Sequence, residues 1–264
     1  MLELYHHGSS VCAAKVRMAL AEKGLDWKGH YLDILKGDQF DPDYLKLNPK
    51  GVVPTLVDGG EVIRESTLIC EYIDEKFPDP PLKPADPAGK VRMRYWTKFL
   101  DEQLHEMCAV VTFTASHRYT ILRMSEAEVE EFLERTPDPD WKRRKREWIE
   151  MGFDGPEVVK AVKTYDKLLK DMETALEKSD WLAGDGFSLA DIGVAPYVNR
   201  IDILGMLENW TPKRPRVLGW LARMRERPSY GPAIDEYMPE SLTNDFRTNG
   251  EKSWPAVEAI LRSA

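Results

Sequence analysis

The chain has 264 residues, 42% of them apolar, with 8 Trp, 10 Tyr and 8 Phe, which is enough to build a core and excludes wholesale disorder. Its 37 Lys and Arg stand against 45 Asp and Glu, a net charge of −8, so it lacks the positive excess of a nucleic-acid binder. No apolar run approaches the ~18–20 residues needed to cross a bilayer.

Residues 2–6 alternate weakly and run into Gly8-Ser9-Ser10, a strand followed by a turn. From Ser10 the apolar spacing becomes helical through Cys12, Val16, Ala19 and Leu20 and stops at Gly24. Residues 27–32 predict a second strand, and 33–48 a loop holding one helical turn. Residues 52–57 predict a third strand, entered through Pro54. Asp58-Gly59-Gly60 is a hairpin turn, and 61–63 the returning strand. A helix is expected over 66–77. Five prolines between Pro78 and Pro87 then mark a stiff connector. Beyond it only helices are expected, at 86–119, 125–135, 156–176, 188–206 and 215–227, with a weaker one near Pro232. Strands mixed with helices and then helices alone predict an α/β domain over 1–80, a linker at 81–88, and an all-α domain over 89–264. The tail from Glu240 carries Trp254, a sign that it packs.

The start, Met1-Leu2-Glu3-Leu4-Tyr5, lacks the basic and apolar regions of a signal peptide. Cys12, Cys70 and Cys108 fit neither a disulfide framework nor a zinc site. The expectation is a cytoplasmic protein with no metal, no membrane association and no nucleic-acid partner. The basic run 142–146 lies among acidic residues and reads as a solvated helix face.

Three features could carry chemistry. Val53-Pro54 puts a proline at a strand entry; if that bond is cis, the backbone of Val53 turns outward to pair with an extended ligand. Read singly, it is an ordinary trans proline. Glu65-Ser66 opens a helix, whose free N–H groups attract a carboxylate while Glu65 takes an ammonium; read singly, Ser66 is a cap. Ser10 stands at the first helix's N-terminus, where a hydroxyl and the helix dipole would favour a bound thiol as thiolate. Ser9 is an alternative donor, and both serines also suit a plain turn.

Taken together, Ser10-Val11-Cys12-Ala13-Ala14-Lys15-Val16-Arg17, Asn48-Pro49-Lys50-Gly51-Val52-Val53-Pro54-Thr55-Leu56, Glu65-Ser66 with Ile69-Cys70-Glu71-Tyr72, and the capping motif Phe187-Ser188-Leu189-Ala190-Asp191-Ile192 resemble the glutathione transferase family. Residues 83–87, 93–98 and the charged insertion at 125–155 further resemble bacterial transferases related to the lignin β-aryl-etherases. The resemblance implies a thioredoxin-like domain that binds glutathione and a helical domain that shapes a hydrophobic electrophile's pocket. It implies a homodimeric detoxification enzyme that conjugates glutathione or displaces an aryl ether's phenoxide. It places Ser10 at the catalytic position of the serine-type classes, Pro54 at the family's cis-proline, and Val53 against the cysteinyl part of glutathione. Glu65 and Ser66 fall at the γ-glutamyl contacts and Lys50 near the glycyl carboxylate.

Two departures stand out: His6-His7, with Tyr5 before them, occupy the region where other classes use tyrosine, and Cys12 lies two residues after the position where cysteine-type classes place cysteine. A reductase of thiol–disulfide or dehydroascorbate type using Cys12, and a non-catalytic glutathione-binding module, are the competing readings. Met107, Val111 and Thr114 are the candidates for the second substrate, with Val110, Phe113, His117 and Tyr119 nearby; a core role is the plainer account of such a stripe.

Overall fold

The computed structural model describes residues 1–34, 36–136 and 138–263. Leu35, Pro137 and Ala264, which fall in the expected loop 33–48, the insertion 125–155 and the tail, lie outside the described residues. The chain divides into two units, one of residues 1–98, 175–198 and 219–239, the other of 99–174, 199–218 and 240–264.

The first unit is built on strands β1 (Leu2–His6), β2 (Trp27–Tyr31), β3 (Thr55–Asp58) and β4 (Glu61–Arg64), in the order β2-β1-β3-β4. β1 and β2 are parallel and joined through α1 (Val11–Glu22); β3 is antiparallel to β1 and to β4. Leu4 faces Leu56 across the sheet, and both are fully buried, each contributing roughly 1.5–3 kcal/mol. α2 (Pro42–Leu47) precedes β3, and α3 (Ser66–Lys76) packs against α1. The third strand begins at Thr55, not at the expected Val52. The Val52 carbonyl is taken by Tyr44 Oη at 2.6 Å and Asn48 Nδ2 at 2.9 Å and is therefore lost to the ladder.

The proline connector is anchored along its length. Asp74 accepts from the Leu82 N–H at 2.7 Å and pairs with the buried Lys23 at 2.6 Å, while the Leu82 carbonyl accepts from Leu189 N at 2.8 Å. α4 (Pro87–Phe99) follows.

In the second unit the expected single helix over 86–119 continues as a π-helical turn (Leu100–Leu104), α5 (His105–Thr112), a second π turn (Phe113–His117) and α6 (Arg118–Ile121). α7 (Glu126–Glu134) carries a complete capping box from Ser125 and Glu128. α8 (Pro139–Met151) holds the basic run, which is a solvated face only in part: Arg143 is exposed, whereas Arg144 is largely enclosed. Arg144 binds Glu157 and stacks over Trp141, and Lys145 donates to Thr136 Oγ1 at 2.8 Å; Lys142, Arg143 and Arg146 pair with Glu134, Asp140 and Glu130.

α9 (Pro156–Ala175) buries Val158, Ala161, Val162, Tyr165, Leu168, Leu169 and Met172, an apolar stripe at helical period. α10 (Leu189–Ile203) passes from the first unit into the second, followed by α11 (Leu207–Trp210). α12 (Pro215–Glu226) and α13 (Tyr230–Ala233) follow. In the first unit, Asp191 accepts from Ser188 N at 3.0 Å, Leu182 N at 3.0 Å and Trp220 Nε1 at 2.9 Å.

The tail forms α14 (Glu240–Arg262) and packs within the second unit. Trp254 meets Trp210 at 6.0 Å between ring centroids, and Phe246 meets His117 at 5.4 Å. Gly250 is required there, since a Cβ would stand 2.0 Å from the Leu204 carbonyl oxygen. Among the described residues, no helix is long and apolar enough to cross a membrane, and no three His, Cys, Asp or Glu side chains gather as a metal site.

Candidate active site

Strand order and register bring three loops to one end of the sheet. Tyr5 pairs with Thr55, and Thr55 with Arg64. The end of β1, the start of β3 and the end of β4 therefore lie side by side. Residues 7–10 leave the first, Val53 and Pro54 enter the second, and Glu65 and Ser66 leave the third. The Val53–Pro54 bond is cis. Pro54 is buried and Val53 half-buried.

Ser10 is the N-cap of α1: its backbone is extended (φ −70°, ψ 119°), and its Oγ accepts from Ala13 N at 3.2 Å. Accepting the cap bond leaves the hydroxyl hydrogen able to donate outward. Its own N–H donates to the His7 carbonyl at 3.3 Å. Ser9 lies half-buried in the turn just ahead. Cys12 Sγ lies 3.9 Å from Tyr197 Oη. Tyr5 stacks on His30 with centroids 4.3 Å apart.

Glu65 has φ +66°, the one positive φ among the described non-glycine residues, and Ser66, 8% exposed, begins α3. This backbone aims the side chain of Glu65 away from its helix, where it meets Lys50 at 2.7 Å. Lys15, also buried and in the second turn of α1, reaches Thr67 Oγ1 in the first turn of α3 at 3.4 Å. The amide and dipole ends of two helices thus face one locality, a setting that suits anions.

Sequence reasoning missed the supports. Tyr44 Oη and Asn48 Nδ2 both bond Val52 O and Thr55 Oγ1, fixing the loop ahead of Pro54. Arg17, 2% exposed, donates to the carbonyls of His7, Gly8 and Ala233 at 3.1, 2.9 and 2.8 Å and packs against the Tyr237 ring. A signal for Arg17 was present: with Ala13, Val16 and Leu20 it falls at i, i+3, i+4 and i+7 of the buried face of α1. Burial, then the Arg17 charge, holds the His6 imidazole down at about 4, so it is neutral near pH 7.

Met107, Val111 and Thr114 lie in the interior of the second unit. The Thr114 hydroxyl finds no hydrogen-bond partner among the described residues. It belongs to the second π turn, a feature frequent at functional sites.

Comparison with known proteins identifies the family. Residues 4–81 match the family model for the glutathione S-transferase N-terminal domain, and residues 127–223 the model for its C-terminal domain. The chain is 31% identical over 256 residues to Protein LigF of Sphingobium sp. strain SYK-6, covering 93% of this chain and 96% of that protein. The crystal structure of beta-etherase LigF superposes with a TM-score of 0.77 at 30% identity, covering 89% of this chain and 99% of that one. Glutathione S-transferase Z1 of Arabidopsis thaliana is 55% identical over 85 residues, 32% of this chain and 38% of that protein.

Proposed function

Because this chain belongs to the glutathione S-transferase family, we propose that its glutathione-dependent reaction is driven by Ser10, whose hydroxyl donates a hydrogen bond to the sulfur of bound glutathione. The observation that carries this reading is the N-cap geometry of Ser10: the oxygen accepts from Ala13 N, and the hydrogen is left for a thiolate. The α1 dipole adds its partial positive charge. Val53, beside cis-Pro54, would pair with the cysteinyl backbone. Glu65 would take the γ-glutamyl ammonium, Ser66 and the first amides of α3 its carboxylate, and Lys50 the glycyl carboxylate. The thiolate forms a carbon–sulfur bond to an electrophilic carbon, and the group it displaces leaves with the electron pair of the broken bond.

Likeness to a β-etherase over most of the chain supports an aryl ether as electrophile, with phenoxide leaving. Met107, Val111 and Thr114 are our candidates for that substrate, because Thr114 supplies an enclosed hydroxyl amid apolar neighbours. We assign the chain to the cytoplasm, since Cys12, Cys70 and Cys108 form no disulfide, and to detoxification of such electrophiles.

A homodimer is supported by one face of the first unit. Leu68 on α3 and Val91 and Tyr95 on α4 are 59%, 68% and 60% exposed. They surround the ion pair of Arg94 with Glu71 at 2.8 Å, an apolar patch with a charged centre that a second copy would cover.

The test is Ser10→Ala. Turnover should fall at least about 10-fold with glutathione still bound, from the loss of a charge-assisted hydrogen bond. The protein should lose about 1 kcal/mol from the missing cap. Undiminished turnover rules Ser10 out as the donor.

A further inference from the structure

Arg17 is a buried cation that pairs with no carboxylate among the described residues. Its guanidinium is held by three backbone carbonyls (His7, Gly8, Ala233), by the face of the Tyr237 ring 4.0 Å away, and by His6 Nδ1 at 3.5 Å. None of these is a carboxylate, and His6 is neutral near pH 7. The nearby carboxylates are engaged elsewhere, Glu22 by Arg227, Glu65 by Lys50, and Asp235 within the field of Arg225. Carbonyl dipoles and a ring face offset only part of the cost of desolvating a full charge.

The location gives that charge a use. The His7 carbonyl accepts from Arg17 Nη1 and also from the backbone N–H of Ser10. Gly8, the next residue, is clamped by Arg17 Nη2 and by residue 237, whose carbonyl oxygen would lie 2.8 Å from a Cβ placed there. One side chain thus ties the two residues ahead of Ser9-Ser10 to the 233–237 segment, more than 200 positions later in the chain.

We propose that Arg17 is a positioning residue of the thiol site, locking the backbone that presents Ser10 and supplying the buried positive charge that a neighbouring thiolate neutralises. The inference rests on the reading of Ser10 given above. It makes residues 233–237 part of the site's support, and it explains how a protein tolerates an arginine with no carboxylate partner: the counter-charge arrives with the activated substrate. Other charged groups facing this locality are Lys15 beside Thr67 and the Lys50–Glu65 pair. His7, just past the end of β1, has its Nδ1 2.9 Å from the Leu32 carbonyl oxygen.

The experiment follows the ultraviolet absorbance of bound glutathione thiolate across pH in the wild-type protein, Arg17→Gln and Arg17→Lys. In an effective dielectric near 20, a unit charge within about 10 Å of a titrating group moves its pKa by about one or more. Arg17→Gln keeps donors for the carbonyls and loses the charge, so the thiol's apparent pKa should rise by about one, with turnover near pH 7 falling about 10-fold and recovering at higher pH. Arg17→Lys keeps the charge and should hold the thiol close to its wild-type value. A bound thiol that titrates identically in wild type and Arg17→Gln overturns the proposal, even if the variant is less stable. Should Arg17→Gln not fold, the apolar near-isostere Arg17→Met takes its place: a thiol pKa raised by about one supports the proposal and an unchanged one overturns it. If wild-type protein binds glutathione without lowering its thiol pKa, the reading of Ser10 fails first, and that result is distinct from the others.

Discussion

Lys50 Nζ lies 2.7 Å from Glu65 Oε1, so two side chains expected at opposite ends of one tripeptide hold each other. Both are well exposed, at 70% and 56%, and such a pair contributes about 0–1 kcal/mol to stability. Glutathione would exchange this pair for two ligand contacts, Glu65 with an ammonium and Lys50 with a carboxylate. Glu65→Gln should therefore weaken glutathione binding about 10-fold or more while the melting temperature changes little. Isothermal calorimetry beside a thermal scan checks both, and equal affinity for wild type and variant removes Glu65 from the ligand contacts.

Glu65 also shows how far the sequence could be read. Its place at the start of α3 followed from the hairpin turn at 58–60 and from Ser66, whose periodic successors Ile69, Cys70 and Ile73 are buried as that spacing demands. The strands, α1, α3, α9 and the Ser188–Asp191 capping box were legible for the same reason: each is set by local spacing or a local cap. What was not legible depends on distant partners. Val52 looked like strand because nothing local reveals that Tyr44 and Asn48 take its carbonyl. The 23-residue helix α14 was hidden by Gly250 and Pro255, normally breakers. Gly250 is there because the Leu204 backbone leaves no room for a Cβ. Arg17 drew no attention as a site residue because its carbonyl partner Ala233 lies 216 positions away.

The loop that carries Val53 depends on one phenol. Tyr44 Oη donates to Val52 O and lies 2.9 Å from Thr55 Oγ1, and its own pKa is raised by burial. Tyr44→Phe should cost about 1–3 kcal/mol of stability, the penalty for leaving a buried polar group underserved. Because Asn48 still holds Val52, the loop should loosen without collapsing, so the KM for glutathione should rise with a smaller change in kcat. Urea denaturation and steady-state kinetics measure the two, and a variant with unchanged KM would show that Tyr44 serves stability alone.

The exposed patch of Leu68, Val91 and Tyr95 sets a test of assembly. Placing a carboxylate on its apolar surround, as in Val91→Glu, should cost an isolated chain little, because position 91 is 68% exposed. In a two-fold interface the same change places two carboxylates near each other in a desolvated patch. Val91→Glu should shift light-scattering mass from dimer toward monomer without unfolding the protein. A variant that keeps the wild-type mass moves the interface elsewhere.

Acid stability turns on three buried groups whose effects oppose one another. Burial first, then nearby charge, holds His6 and His117 at about 4, well below their ordinary value, with Arg17 acting on His6 and Arg200 on His117. A histidine that is harder to protonate when folded contributes stability above its unfolded pKa of ~6.5 and loses it as pH falls through 4, about 3 kcal/mol for each. Asp191 runs the other way. Burial pushes it up to about 6 against the four hydrogen bonds it accepts, so it contributes below about 4 and loses that contribution as pH rises through 6, returning somewhat less than 3 kcal/mol on acidification. The two histidines outweigh the one aspartate, and unfolding free energy should fall by about 3 kcal/mol between pH 7 and pH 4. His117→Phe should cancel most of that fall, since a second ring beside Phe113 and Phe246 has no proton to take up. Urea titrations at the two pH values decide the matter: a fall as steep in His117→Phe as in wild type would mean that His117 takes up its proton as readily in the folded protein as in the unfolded chain.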